Sequence, residues 1–219
     1  MGGFDFWTVA DYGDVLLAGM GWTALLTVAS AGLSLVGGVA FALCSLGRRA
    51  ALRWPTAFFV WLFMGTPLLL QLYLIYFGLV QIGIDLSAFA AGVIGLSLHF
   101  AVYNSEAIRA GIVAVDRGQH EASRSLGLGL WQTMRKVILP QALRNVTPAL
   151  GNNMIALLKE SSLVSIIGVM ELTLSAQRAI SETFRPFEFY IAAGAMYYVL
   201  NAALELVLRR VERRTEMTR

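Results

Sequence analysis

Residues 116–148 read DRGQHEASRSLGLGLWQTMRKVILPQALRNVTP, and they decide the fold because they are the long polar interruption in an otherwise charge-poor chain. Asp116 is placed to cap a helix. Residues 119–126 supply about two helical turns, with Glu121 near the positive N-terminal end, and Gly127 suits the left-handed residue that closes such a helix. After Gly129, the apolar residues Leu130, Met134 and Val137 recur at helical spacing, and Ile138-Leu139-Pro140 is expected to end that second piece. A short helix, a glycine corner and a second helix make a compact knob that can transmit force as a rigid body. The whole segment 109–144 has 36 residues, well beyond the roughly 12–15 of an ordinary connection.

Outward from this segment the chain is apolar. Hydrophobic residues make up 57% of the 219 and charged residues 14%, against roughly 25% charged in soluble domains, so the class is a membrane domain. Runs without Asp, Glu, Lys or Arg cover 15–47, 54–84 and 86–105, each meeting the ~20 residues needed to span a bilayer. A fourth crossing has to join 145–158 and 161–170 across Lys159-Glu160, and a fifth runs over 189–208 with Glu205 near its end. The expected architecture is an all-α membrane protein of five transmembrane helices, at about 15–46, 55–80, 87–108, 145–170 and 188–208, in one domain over 1–219. Trp7, Tyr12, Trp54 and Tyr190 fall at its boundaries, as an interfacial aromatic belt would. In the first span Ser30, Ser34, Gly38 and Ala42 recur every fourth residue, a spacing that lets another helix approach closely.

The placement of charge orients the chain. Of 17 basic residues, 14 lie in alternate connecting segments: Arg48, Arg49 and Arg53, then six from Arg109 to Arg144, then five from Arg209 to Arg219. The opposite segments carry Arg178 and Arg185, and the first of them carries Asp5, Asp11 and Asp14 instead. Basic residues stay in the cytoplasm, which predicts an N-terminus outside and a cytoplasmic C-terminus. The net charge of +3 therefore reads as an orientation signal toward anionic lipid, and no nucleic-acid partner is expected. No cleavable signal peptide is expected either, since a basic n-region is missing. One cysteine, Cys44, and two histidines, His99 and His120, give no metal-ligand set.

The central segment then carries a resemblance. Glu121-Ala122-Ser123, Gly127 and Val137-Ile138-Leu139-Pro140 resemble the cytoplasmic Glu-Ala-Ala signature of permease subunits of bacterial binding-protein-dependent ABC importers, with Ser123 for the second alanine and Val137 for isoleucine. Gly65-Thr66-Pro67-Leu68-Leu69, Ile75-Tyr76-Phe77-Gly78, Ser105 to Gly111, Leu157 to Leu163, and Phe184 with Phe187, Glu188 and Tyr190 are similar to the polar amino-acid branch of that family (histidine, arginine, glutamine or opine type). Met64 and Glu160 depart from it, since the branch commonly has Arg and Asp there. The resemblance implies the type I importer permease fold in the bacterial inner membrane, with a coupling helix seated in a separate ATPase. Glu121, Ala122, Ser123, Gly127, Leu139 and Pro140 are the implied coupling residues. It further implies two ATPase subunits that bind ATP and Mg, a second permease, and a periplasmic substrate-binding protein.

The residues agree with that division of labour: the chain has no phosphate-binding loop of the Gly-x-x-x-x-Gly-Lys-Ser/Thr type, so it is read as a non-enzyme without a cofactor of its own. Charged residues inside a span usually mark a pathway, which nominates Lys159 and Glu160, with Asn104 and Gln71 as further polar candidates. Glu106 and Arg109 are one turn apart and are expected to pair or to meet the lipid headgroups. Segment 171–187 reads as an interfacial amphipathic helix, and because the family's binding protein docks on that side, Arg178, Glu182 and Arg185 are candidate docking charges. The rival function is an autonomous secondary amino-acid transporter, which two symmetric halves with matching broken helices would favour; no such symmetry is evident.

Overall fold

The computed structural model describes residues 6–47 and 49–216. Arg48, Asp5 and Arg219, three of the orienting charges, lie outside them. Ten helices and no strand occur among the described residues: α1 Trp7–Asp11, α2 Gly13–Leu46, α3 Ala50–Met64, α4 Leu68–Tyr73, α5 Ala88–Val113, α6 Arg117–Ser125, α7 Leu130–Thr133, α8 Leu139–Glu160, α9 Leu172–Thr183 and α10 Pro186–Glu216. Among them α2, α5 and α10 are long and apolar enough to cross a membrane.

The expected span 55–80 is not one helix. Between Ala50–Met64 and Leu68–Gly78 the chain turns through 110°, and counting that bent pair as one crossing gives four. The cause is local. Pro67 pushes Thr66 out of the helical region and supplies no N–H, so α3 closes with Gly65 N–H on the Trp61 carbonyl (3.0 Å) and α4 restarts with Leu70 N–H on Pro67 (3.0 Å).

The expected fourth span is also altered. α8 begins at Leu139 rather than 145, and after Glu160 it tightens to a 3-10 helix over Ser161–Ile167 that ends at Gly168, φ 90°. Three hydroxyls accompany the tightening: Ser161, Ser162 and Ser165 each donate to the carbonyl three residues back, competing with the α-helical bonds. Pro140 does not stop a helix as the sequence suggested. A π-helical stretch, Met134–Ile138, joins α7 to α8, and the wider turn gives way where the proline ring would meet the carbonyl of the preceding turn.

The chain forms two compact units. One gathers residues up to Gly32 with Thr66–Ser97 and Ile155–Leu204; the other gathers Leu33–Gly65, Leu98–Met154 and residues from Glu205 onward. In the first, Leu16 of α2, Leu172, Ala176 and Ala179 of α9, and Phe189 and Ala193 of α10 form a buried cluster. The apolar face of α9 is therefore packed against protein, where an interfacial helix had been expected. In the second unit α2 meets α5 closely: a Cβ on Gly38 would fall 2.6 Å from Asn104 Cβ and 3.2 Å from the Ala101 carbonyl oxygen. Ser30, Ser34 and Ala42 are at most 1% exposed, as the small-residue stripe predicted. Gly38→Ala is expected to destabilise the protein by ~1–3 kcal/mol through overpacking, measurable by thermal unfolding in detergent.

Candidate functional site

The loop between α5 and α8 is a folded knob. Asp116 caps α6 by accepting from Gly118 N–H at 2.6 Å. At the other end Gly127, φ 74°, donates to Arg124 (2.9 Å) while Leu128 donates to Ser123 (3.0 Å), the paired bonds of a Schellman motif. Ser123 is 3% exposed, and its hydroxyl donates to the Gln119 carbonyl at 2.6 Å, so the Ser-for-Ala departure is absorbed locally. Beneath, Val115, Ile138 and Ala142 form a small core with Ile112, Met134 and Val137, and Gln141 Nε2 donates to Gln119 Oε1 at 3.3 Å.

Of the nominated coupling residues all but the buried Ser123 are exposed. Glu121, Ala122 and Gly127 are exposed, as are Leu139 and Pro140 at the start of α8. Beside them Leu126, Leu130 and Trp131 are 70–79% exposed. Exposed apolar side chains of this size are characteristic of surfaces that contact protein or membrane. Sequence reasoning assigned Leu130 to helical packing and passed over Leu126 and Trp131; their signal was their position flanking the glycine corner, where no helical face exists to bury them.

The polar residues nominated for a pathway separate into two groups. Lys159 is exposed and Glu160 half-buried where α8 tightens. On α8, Asn152 and Asn145 are exposed seven and fourteen residues before Lys159, close to the same helix face; sequence reasoning missed both. Gln71 and Asn104 instead hold the fold together. Gln71, 5% exposed, donates to the Thr66 carbonyl and hydroxyl at 3.0 and 2.9 Å, satisfying the helix break. Asn104 is wholly buried, donating to Ser34 Oγ at 3.2 Å and accepting from Asn153 Nδ2 at 3.0 Å, so α2, α5 and α8 are laced by one amide. Glu106 and Arg109 pair at 2.6 Å, as their spacing foretold.

Around α9 two of the three nominated charges are engaged within the chain. Glu182 accepts from Tyr12 Oη at 2.8 Å, and Arg185 pairs with buried Glu188 at 3.3 Å; Arg178 is exposed. Glu171 is 0% exposed. Its carboxylate caps α9, accepting from Thr173 N–H (2.8 Å) and Leu174 N–H (2.9 Å), and accepts from Tyr197 Oη at 2.6 Å. Thr23 Oγ1 lies 3.5 Å from the same carboxylate and accepts from Leu172 N–H at 3.1 Å. Burial holds the Glu171 carboxyl above the usual carboxylate range, against the lowering effect of these hydrogen bonds. The α9–α10 corner turns on Phe184, φ 56°, a left-handed conformation that costs a bulky residue about 1–2 kcal/mol. Among the described residues no three of His, Cys, Asp and Glu converge as a metal site would require.

Comparison with known proteins adds the following. Residues 16–217 match the family model described as binding-protein-dependent transport system inner membrane component. The chain is 40% identical over 200 residues to the arginine transport system permease protein ArtQ of Bacillus subtilis (strain 168), covering 91% of each. It is 43% identical over 181 residues to a putative glutamine transport system permease protein GlnP of Rickettsia bellii (strain RML369-C), covering 82% of this chain and 83% of the relative. Among solved structures, a chain of an amino acid ABC transporter crystallised with histidines superposes with TM-score 0.92 at 41% identity, covering 97% of this chain and 100% of that one.

Proposed function

The chain belongs to the family of binding-protein-dependent transport system inner membrane components, and from that membership we propose that it is the membrane permease subunit of an ATP-driven importer for a polar amino acid or a close relative, basic amino acids or opines favoured. The observation that carries this reading is likeness along nearly the whole chain to amino-acid permeases, including one for arginine and one for glutamine. The chain spans the bacterial inner membrane five times, with its N-terminus periplasmic and its C-terminus cytoplasmic; the bent pair α3–α4 and the α8 helix with its 3-10 extension supply the second and fourth crossings.

It works as a dimer with itself or a homologous permease, beside two ATPase subunits that bind ATP and Mg, and receives substrate from a periplasmic binding protein. The knob of α6 and α7 seats in the ATPase, with Glu121, Gly127, Leu126 and Trp131 at the contact. When ATP closes the two ATPases, knobs of two permeases are drawn together and the spans pass from inward- to outward-facing.

On the pathway, Glu160 supplies the negative charge that attracts a substrate ammonium or guanidinium, while Lys159, Asn152 and Asn145 line the same aqueous face of α8. Gln71 and Asn104 brace that path without touching the cargo. Glu160→Gln is expected to lower uptake by at least about tenfold, equivalent to ~1.4 kcal/mol, with the complex still assembling; wild-type uptake by this variant would remove Glu160 from the path. The functional reading itself is tested by competition among Arg, His, Gln, Glu and opines for uptake into vesicles carrying the full complex. Uptake by the purified chain alone, driven by an ion gradient without any ATPase, would instead make it a secondary transporter.

A further inference from the structure

The α9–α10 corner carries the chain's one non-glycine residue with positive φ among those described, Phe184 at φ 56°, ψ 33°, and its ring is 84% exposed. These two facts work against folding. A left-handed residue favours glycine or asparagine, and an exposed phenyl ring gains no burial. Backbone strain kept at an exposed position points to a use outside the chain.

The corner is also held fixed. Phe184 N–H donates to the Ile180 carbonyl at 2.8 Å. On one side Tyr12 Oη ties down Glu182, and Tyr12 packs edge-on to the buried Phe189 ring at 5.4 Å; on the other, Arg185 pairs with Glu188, which is 5% exposed. Two of the three charges that looked like docking groups in the sequence, Glu182 and Arg185, are thus engaged at the turn, and what the turn presents is an aromatic ring. Phe187 and Tyr190, each 52% exposed, lie just beyond it.

We propose that Phe184 is the aromatic anchor of the surface that receives the external substrate-binding protein. This rests on the transport reading above, and it assigns to one residue what the charged candidates Arg178, Glu182 and Arg185 had been given. The surroundings favour a soluble protein over lipid as the occupant: the exposed face of α9 leading to the ring is Gln177, Arg178, Ser181 and Glu182. Phe184, Phe187 and Tyr190 form an apolar centre whose α9 side is edged by these polar and charged groups, and an apolar centre with a polar edge is the anatomy of a protein interface. A rigid aromatic also loses little side-chain freedom on docking. The partner is accordingly expected to offer an apolar pocket with polar edges.

The test compares wild type, Phe184→Gly and Phe184→Asn in the complete complex, reading thermal stability, co-purification of the ATPase, and the Kd for the cognate binding protein on proteoliposomes. Glycine and asparagine suit the backbone, so stability is expected to hold or rise and assembly to persist, while the Kd for the binding protein rises at least about tenfold. A wild-type Kd in both variants overturns the proposal, and so does a loss of stability, which would make the ring structural. Phe184→Trp quenched by brominated lipid, with docking unaffected in Phe184→Gly, would assign the ring to the membrane and overturn it as well. A wild-type complex that binds no secreted partner defeats the transport reading itself, and this inference with it.

Discussion

Gly127→Val is expected to abolish coupled uptake, by about a hundredfold or more, while leaving the membrane helices folded. Gly127 sits at φ 74° with nothing within 4 Å of the position a Cβ would take. Within the chain a larger side chain therefore meets no clash, so its effect on the fold of the knob runs through the backbone. A β-branched residue in the left-handed region costs upward of about 1–2 kcal/mol, which the Gly127–Arg124 and Leu128–Ser123 bonds cannot offset at the tip of a nine-residue helix. The corner reopens, and Leu126 and Trp131 lose their fixed relation to Glu121. Because coupling is a positional contact, a shift of about 1 Å suffices to lose orders of magnitude. The substitutions should rank by tolerance of positive φ, with asparagine mildest, alanine intermediate and valine worst. Gly129, at φ −68° and ψ 161° and with equally open space, provides the control: Gly129→Ala should be close to wild type. Uptake and ATPase co-purification measured across this series decide the matter, and equal loss in Gly127→Val and Gly129→Ala would refute the backbone argument.

The contrast between these two glycines also marks what was legible in the sequence. The cap at Asp116 and the terminator at Gly127 are encoded within a few residues of where they act, so local rules found them. The apolar runs were legible because a span is a length and a composition. Hydropathy does not register a proline that turns the chain through 110°, so the break at Thr66-Pro67 went unread although the restriction on a residue before proline was available in the sequence. Pro140 misled in the opposite direction, because a π-helical turn upstream lets the helix run on.

The polar residues were hardest to read. Asn104, Gln71, Glu182 and Arg185 are recognisable as unusual for their setting, but their partners Ser34, Asn153, Thr66, Tyr12 and Glu188 are a matter of tertiary packing for all except Gln71 and Arg185, whose partners lie within five residues. Once the partners are visible, these side chains are braces. Along α8, Asn145, Asn152 and Lys159 are exposed and Glu160 is half-buried, which leaves them as the polar candidates for the proposed path.

Glu171 opens the segment that sequence reasoning treated as an interfacial helix without assigning this acid a role, and its replacement carries the largest expected loss of stability. Glu171→Ala removes the cap of α9 and leaves Thr173 N–H, Leu174 N–H and Tyr197 Oη to find other partners in a buried site. Loss of the N-cap, which counts the two N–H groups, costs ~1 kcal/mol, and the Tyr197 hydroxyl left in a buried site ~1–3 kcal/mol, so a total of ~2–4 kcal/mol is expected, a large fraction of a typical protein's stability. Glu171→Gln should recover only part, since one amide oxygen replaces one acceptor while its NH2 is turned against donors. A pH signature separates this carboxyl from a neutral brace. Its folded pKa is raised by burial, so the folded state holds a proton more tightly than the unfolded one. Stability from this group is present in full below the unfolded value and is lost as pH rises through the folded value. Thermal unfolding of the wild type across the acid-to-neutral range should show that decline, and Glu171→Gln, with no proton to lose, should show a flatter profile at lower absolute stability. An unchanged slope in the variant would mean that another group governs the titration, and that Glu171 stays ionised in the fold as the acceptor its three hydrogen-bond donors require.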